Sequence, residues 1–327
     1  MKQLRIILAV LALALATGLA ACGDDDDEGG QADNGGGTDT AAATQIEANP
    51  AFEGQSITIG SKNFTEQKIL GEVFAQGFEA AGFTVEKELN LGDEATALRA
   101  LEGGSIDAYP EYTGTALLSF FDVASEDIPT EPAAAFEQAR QGFEEMDLTA
   151  FPPTPFTSSN EVAVTQETAE RLELETISDL EGEAGNLSLY GSPECRQRLD
   201  CLLGLQQVYG LEFEEFVPVA IDLRHEVLEN GRADVSIVFT TDPQIQRNNE
   251  VLLEDDQGMF PPYNSTLVMR DQIVEEAGQE ELTALVQQIQ EGLTDEVMQE
   301  LNARVDLDKE TPEAVAQAYL SESGLIG

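Results

Sequence analysis

Two short proline-rich segments constrain this chain more than any other feature. Phe151-Pro152-Pro153-Thr154-Pro155-Phe156 and Gly258-Met259-Phe260-Pro261-Pro262-Tyr263 fit no helix or central strand, because each proline lacks a backbone N–H and has a fixed φ. Around them, short apolar runs alternate with stretches of helical period, as in α/β architecture. With 327 residues the chain can form two lobes or one large α/β unit. The two segments therefore read as crossings, out of a first lobe and back into it. Residues 56–153 with 264–327 are expected to form lobe 1, and 154–263 lobe 2.

The N-terminus reads as an export signal. Lys2 and Arg5 precede the apolar run Ile6 to Ala16, which is too short to be a good membrane span. Leu19-Ala20-Ala21-Cys22-Gly23 resembles a bacterial lipoprotein box, so residues 1–22 are expected to be a signal peptide ending at a lipidated Cys22. Residues 23–55, acidic and Gly-rich without apolar period, are expected to be a disordered tether. This places the chain outside the cytoplasm, held on the cell membrane by lipid alone. With 16 Lys+Arg against 63 Asp+Glu the formal charge is -47. That argues against nucleic acid and anionic lipid surfaces, which demand clustered cations.

From Ser56 the elements follow in order. A strand Ile57–Gly60 leads into a helix whose apolar residues run from Ile69 to Phe78, with Asn63 and Glu66 spaced as a capping box. Lys62 and Gln67 then face the region beyond the strand's carboxyl end, where α/β sheets bind ligands. A second strand spans Phe83–Leu89. Gly103-Gly104 stops the next helix, Ile106–Tyr109 forms a short strand, and Pro110 fixes a turn before the helix Thr113–Phe121. On that turn Tyr112 fits either a core position or a cleft wall, and Thr115 either a cap or a ligand contact. Further strands are expected at Val162–Thr165, Leu187–Tyr190, Phe216–Val219 and Val235–Phe239, with helices across 271–323 packing back onto lobe 1.

Cysteine and histidine usage narrows the chemistry. Besides Cys22, only Cys195 and Cys201 occur, and two such cysteines in an exported chain should form a disulfide. No nearby histidine or cysteine pair completes a metal site, so neither metal nor cofactor is expected. Arg198, inside the loop the bridge closes, is the candidate clamp for a ligand carboxylate, with Arg196 behind it. His225, the one histidine, has no serine or cysteine constellation around it; it reads as a surface or capping residue, and the chain as no enzyme.

Several segments together resemble the substrate-binding proteins of ABC importers for glycine betaine, choline and related compatible solutes. They are Gly60-Ser61-Lys62-Asn63-Phe64-Thr65-Glu66-Gln67, Tyr109-Pro110-Glu111-Tyr112-Thr113-Gly114-Thr115, Thr176-Ile177-Ser178-Asp179-Leu180, Thr241-Asp242 and Leu253-Glu254-Asp255-Asp256. The resemblance, from about Ile57 to the C-terminus, implies a two-lobed periplasmic-binding-protein type II fold. It also implies an aromatic cage for a quaternary ammonium between the lobes, delivery to a membrane permease, and a monomer. A trimethylammonium group donates no hydrogen bond and spreads its charge over methyls, so ring faces hold it best. By position Tyr112 and Tyr263 match cage tyrosines and Thr115 a polar contact beside them. Phe239 stands where tyrosine is common, keeping the ring and losing the hydroxyl. Asn160 falls where a further cage tyrosine is expected, which suggests weaker quaternary-ammonium binding or a more polar solute. A sensor or other non-transport binding module is the alternative.

Overall fold

A computed structural model describes residues 45–327, in which ten strands form two five-stranded sheets. The first contains β1 (Ser56–Gly60), β2 (Thr84–Glu88), β3 (Ala108–Tyr112), β4 (Leu148–Ala150) and β10 (Ser265–Arg270), in the order β2-β1-β3-β10-β4. The second contains β5 (Asn160–Thr165), β6 (Ser188–Gly191), β7 (Glu215–Pro218), β8 (Val235–Phe239) and β9 (Glu250–Leu253), in the order β7-β6-β8-β5-β9. The two share one plan. Three parallel strands lie on one side, and a strand arriving from a crossing inserts antiparallel beside them: β10 between β3 and β4, β5 between β8 and β9.

The crossings run side by side. Thr157 and Asn264 form an antiparallel bridge, and Ser158 N–H donates to the Tyr263 carbonyl at 3.1 Å. The proline segments thus carry the chain between sheets while neighbouring residues supply the backbone donors the prolines lack.

Pro110 corrects one expectation: it lies inside β3 and makes no turn. Arg270 N–H donates to Asp107 O and Thr113 N–H to Asn264 O, so the odd-numbered residues of this stretch exchange bonds with β10. Pro110 therefore turns its donorless nitrogen away from β10, toward β1, whose pairing with β3 is confined to Ile59 opposite Ala108. Strands β4, β9 and β10 were not legible as strands. In β10 five of six residues are buried, so the two-residue alternation that marks a half-exposed strand is missing.

Helices cover the first sheet. Thr65–Ala81 buries Leu70, Phe74 and Phe78 in a core with Ile57 of β1, Leu282 and Val286 of Gln279–Gln290, and Leu320 of Pro312–Glu322. The second sheet has its own core, including Val162, Leu189, Leu205 and Val235. The chain joins the fold earlier than the expected end of the tether at 55. Ile46 N–H donates to Leu325 O at 2.8 Å, and Phe52, buried, stacks on Phe83 with centroids 4.6 Å apart. Cys22 and the segment before it lie outside the described residues. No described helix is long and apolar enough to cross a membrane.

Candidate solute-binding site

One cavity of about 80 Å³ lies between the sheets, beyond the carboxyl ends of β1, β3, β6 and β8. Each strand end contributes: Lys62 and Phe64 follow β1, Tyr112 and Thr115 end β3 and begin the next helix, Ser192 follows β6, and Phe239 closes β8. Asn160 enters from the start of β5 and Tyr263 from the return crossing.

Rings from both sheets meet here. Phe64 lies parallel to Tyr112 at 6.3 Å between centroids and is tilted against Phe239 at 5.3 Å. Tyr263 rests on the start of the helix after β3. A Cβ at Gly114 would stand 2.7 Å from its ring, so this close approach needs glycine. Both phenols are anchored behind the cavity, Tyr112 donating to Glu66 at 2.6 Å and Tyr263 to Asp200. Burial and the neighbouring carboxylates push both phenol pKa values well above the ordinary tyrosine value, keeping them protonated donors. With their hydroxyls engaged, neither phenol is a free donor to a solute.

Three cations share the lining, each with a carboxylate. Lys62 Nζ is paired with buried Glu111 and lies 4.7 Å from the Tyr112 ring centroid. The Arg224 guanidinium, 4.1 Å from the Phe239 centroid, bonds Asp242 through Nε at 3.0 Å. Arg198 donates to Asp200 through Nε at 2.7 Å, meets Glu94 at 2.9 Å and reaches Thr115 Oγ1 at 3.5 Å. Burial pushes the Asp200 carboxyl up, but the charge and hydrogen bonds of Arg198, with the Tyr263 hydroxyl, outweigh it and hold the pKa below the ordinary carboxylate value. Asp242 is held low in the same way by Arg224 and His225 against its own burial.

Seven of the nine residues singled out from sequence line this cavity: Lys62, Tyr112, Thr115, Asn160, Arg198, Phe239 and Tyr263. Gln67 does not; fully buried, it accepts from the Lys62 backbone N–H at 3.2 Å and supports the loop from behind. Asn160 is more than a missing wall, since its amide donates to Asp200 Oδ2 at 2.9 Å and to the Asp200 carbonyl at 3.1 Å. Arg196 points elsewhere, 4.7 Å from the Phe216 centroid and outside the cavity. Cys195 and Cys201 are bonded, Cα atoms 5.1 Å apart, and Cys201 reaches the lining.

Two further expectations are corrected. The helix after β1 has Phe64 at its cap with no side-chain bond, and Glu66 is buried instead, accepting from Tyr112 and from Asn302 Nδ2 at 2.9 Å. His225 is no surface residue: 4% exposed, it contacts Asp242 at 2.9 Å and Glu250 at 2.7 Å. Sequence reasoning also missed Phe64 and Arg224 as lining residues. Phe64 stood in a quoted motif directly after a strand end, a usable signal. Arg224 carried none, because its placement depends on Asp242 from a distant turn.

The chain matches a family described as the substrate binding domain of ABC-type glycine betaine transport systems, over residues 55–322. It is 32% identical to the glycine-betaine-binding protein of Pseudomonas aeruginosa over 285 residues, covering 84% of this chain and 90% of that one. It is 29% identical to the carnitine transport binding protein OpuCC of Listeria monocytogenes, with 84% and 90% covered. Among solved structures, a glycine betaine/carnitine/choline ABC transporter superposes with a TM-score of 0.66 at 26% identity, covering 82% of this chain and 98% of that chain. Apo YehZ of Escherichia coli gives 0.57 at 25% identity, covering 82% and 99%. The α/β architecture with two sheets is that of a two-lobed type II periplasmic binding protein. The chain belongs to the family of substrate-binding domains of ABC-type glycine betaine transport systems.

Proposed function

We propose that this chain is an extracytoplasmic receptor that captures a quaternary-ammonium solute of the betaine, carnitine or choline type between two lobes and hands it to an ABC permease. On this reading it performs no catalysis, acts as a monomer and is held to the membrane through a lipid on Cys22. Residues 56–153 with 264–327 form one lobe and 154–263 the other. The observation that carries the reading is the ring set Phe64, Tyr112, Phe239 and Tyr263 around one cavity, drawn from both sheets and the return crossing. Each face engaged contributes about 0.5–2 kcal/mol to a desolvated cation. Only a solute touching both lobes favours their closure.

A thermal-melt panel of glycine betaine, carnitine, choline, ectoine and polar amino acids tests the solute. A true ligand at a hundred times its Kd stabilises by about 2.7 kcal/mol. A shift with at least one quaternary ammonium is expected; shifts confined to other solutes would reject this class. That second reading, a more polar solute, draws on Lys62 and Arg224, which already cover faces of Tyr112 and Phe239. For the anchor, Cys22→Ala should move the chain from the membrane fraction to the soluble one, and retention on the membrane would contradict it.

A further inference from the structure

Asp200 does not line the cavity, yet it holds three groups that do. It is fully buried and accepts from Arg198 Nε at 2.7 Å, from Asn160 Nδ2 at 2.9 Å and from the Tyr263 phenol. Glu94, the other carboxylate on Arg198, reaches it from the helix Glu94–Glu102 beside the first sheet, at 2.9 Å. Asp200 is instead the partner on Arg198's own loop, two residues away and just before bridged Cys201. It therefore stays with Arg198 whether or not the two sheets are drawn together.

A guanidinium fixed in a cavity of about 80 Å³ has two consequences. It attracts a carboxylate on the solute, and it repels a solute whose only charge is positive. Pairing it with a buried carboxylate cancels both effects locally. Lys62 with Glu111 and Arg224 with Asp242 follow the same pattern, so the lining carries cationic groups with little free positive charge.

Building on the function proposed above, we propose that Asp200 sets the solute-charge preference of the cavity. Together with Glu94 it masks Arg198 and so lets a net-cationic, choline-type solute bind as well as a zwitterionic betaine, where a less screened arginine would favour a carboxylate. Asp200 is a positioning residue: it acts through Arg198, Asn160 and Tyr263.

The test compares glycine betaine and choline affinities by titration calorimetry for the wild type, Asp200→Asn and Arg198→Gln. Asp200→Asn keeps size and shape while adding one unit of positive charge to the site. It should raise the choline-to-betaine Kd ratio at least tenfold, and Arg198→Gln, which subtracts a positive charge, should lower it. A purely structural role would weaken both solutes alike, so ratios within twofold of wild type in both variants would overturn the proposal. Should Asp200→Asn fail to fold, the direction of the Arg198→Gln ratio decides. If the wild type binds no quaternary ammonium of the melt panel, the proposed function falls while masking is still tested. In thermal melts at constant ionic strength, acetate in place of chloride should then raise the melting temperature of Asp200→Asn more than that of wild type. Equal shifts would overturn it.

Discussion

Asn160 shows how a residue read from sequence as a loss becomes a contribution once its neighbours are known. From sequence its amide replaces a ring, and a tyrosine there should tighten the cage. In the structure the amide supplies two bonds to Asp200, and nothing in the linear sequence links positions 160 and 200. Removing a donor from a buried carboxylate costs about 1–3 kcal/mol, more when the group is charged. A phenol would also take up part of the cavity of about 80 Å³ that Asn160 lines. We therefore expect Asn160→Tyr to weaken solute binding tenfold or more; calorimetry giving tighter binding would restore the simple cage picture. Phe64 is the opposite case. Its ring was in plain view beside a strand end, but only the 5.3 Å approach to Phe239 identifies it as a wall.

At the scale of elements, the short loop closed by Cys195 and Cys201 carries more of the site than any helix. It holds Arg198 and Asp200. A loop this short yields about 2 kcal/mol of stabilisation on the chain-entropy account. Cys195→Ala with Cys201→Ala should lower stability by about that amount in urea unfolding, and should weaken solute binding further because the Arg198–Asp200 pair must then be ordered on binding. Unchanged affinity would show that the bridge serves the fold alone. The disulfide was legible because export and cysteine count left one pairing. The strands were legible where a face is exposed, as in Thr84–Glu88, or where turn residues bound a buried run, as with Val235–Phe239. They were illegible where burial on both faces removes the alternation, as in β10, and where a proline suggested a turn, as in β3. In β3, neighbouring pairing decides whether a missing N–H matters, and sequence does not report it.

At the scale of the whole molecule, two sheets with separate cores meet across the cavity through side-chain contacts. Arg198 reaches Glu94, Phe64 meets Phe239, and Asn302 donates to the Thr241 carbonyl at 3.2 Å. Gln244 also donates to Asp306 at 3.2 Å and Gln299 to the Thr240 carbonyl at 3.3 Å, and a solute touching both sides would add to these contacts. The formal charge of -47 bears on solubility and on drawing cations toward the cleft, and hardly on which solute is held. The central claim is that one solute is gripped by rings from both sides at once. Phe64→Leu and Phe239→Leu test it cleanly, because both remove a ring while leaving apolar bulk and strand no hydrogen-bond partner. Calorimetric titration of the solute found in the melt panel should show each substitution weakening binding by about 0.5–2 kcal/mol, with the double variant losing less than the two separate losses combined because the rings share one cation. Wild-type affinity in either single variant would contradict a clasp formed across the two sheets.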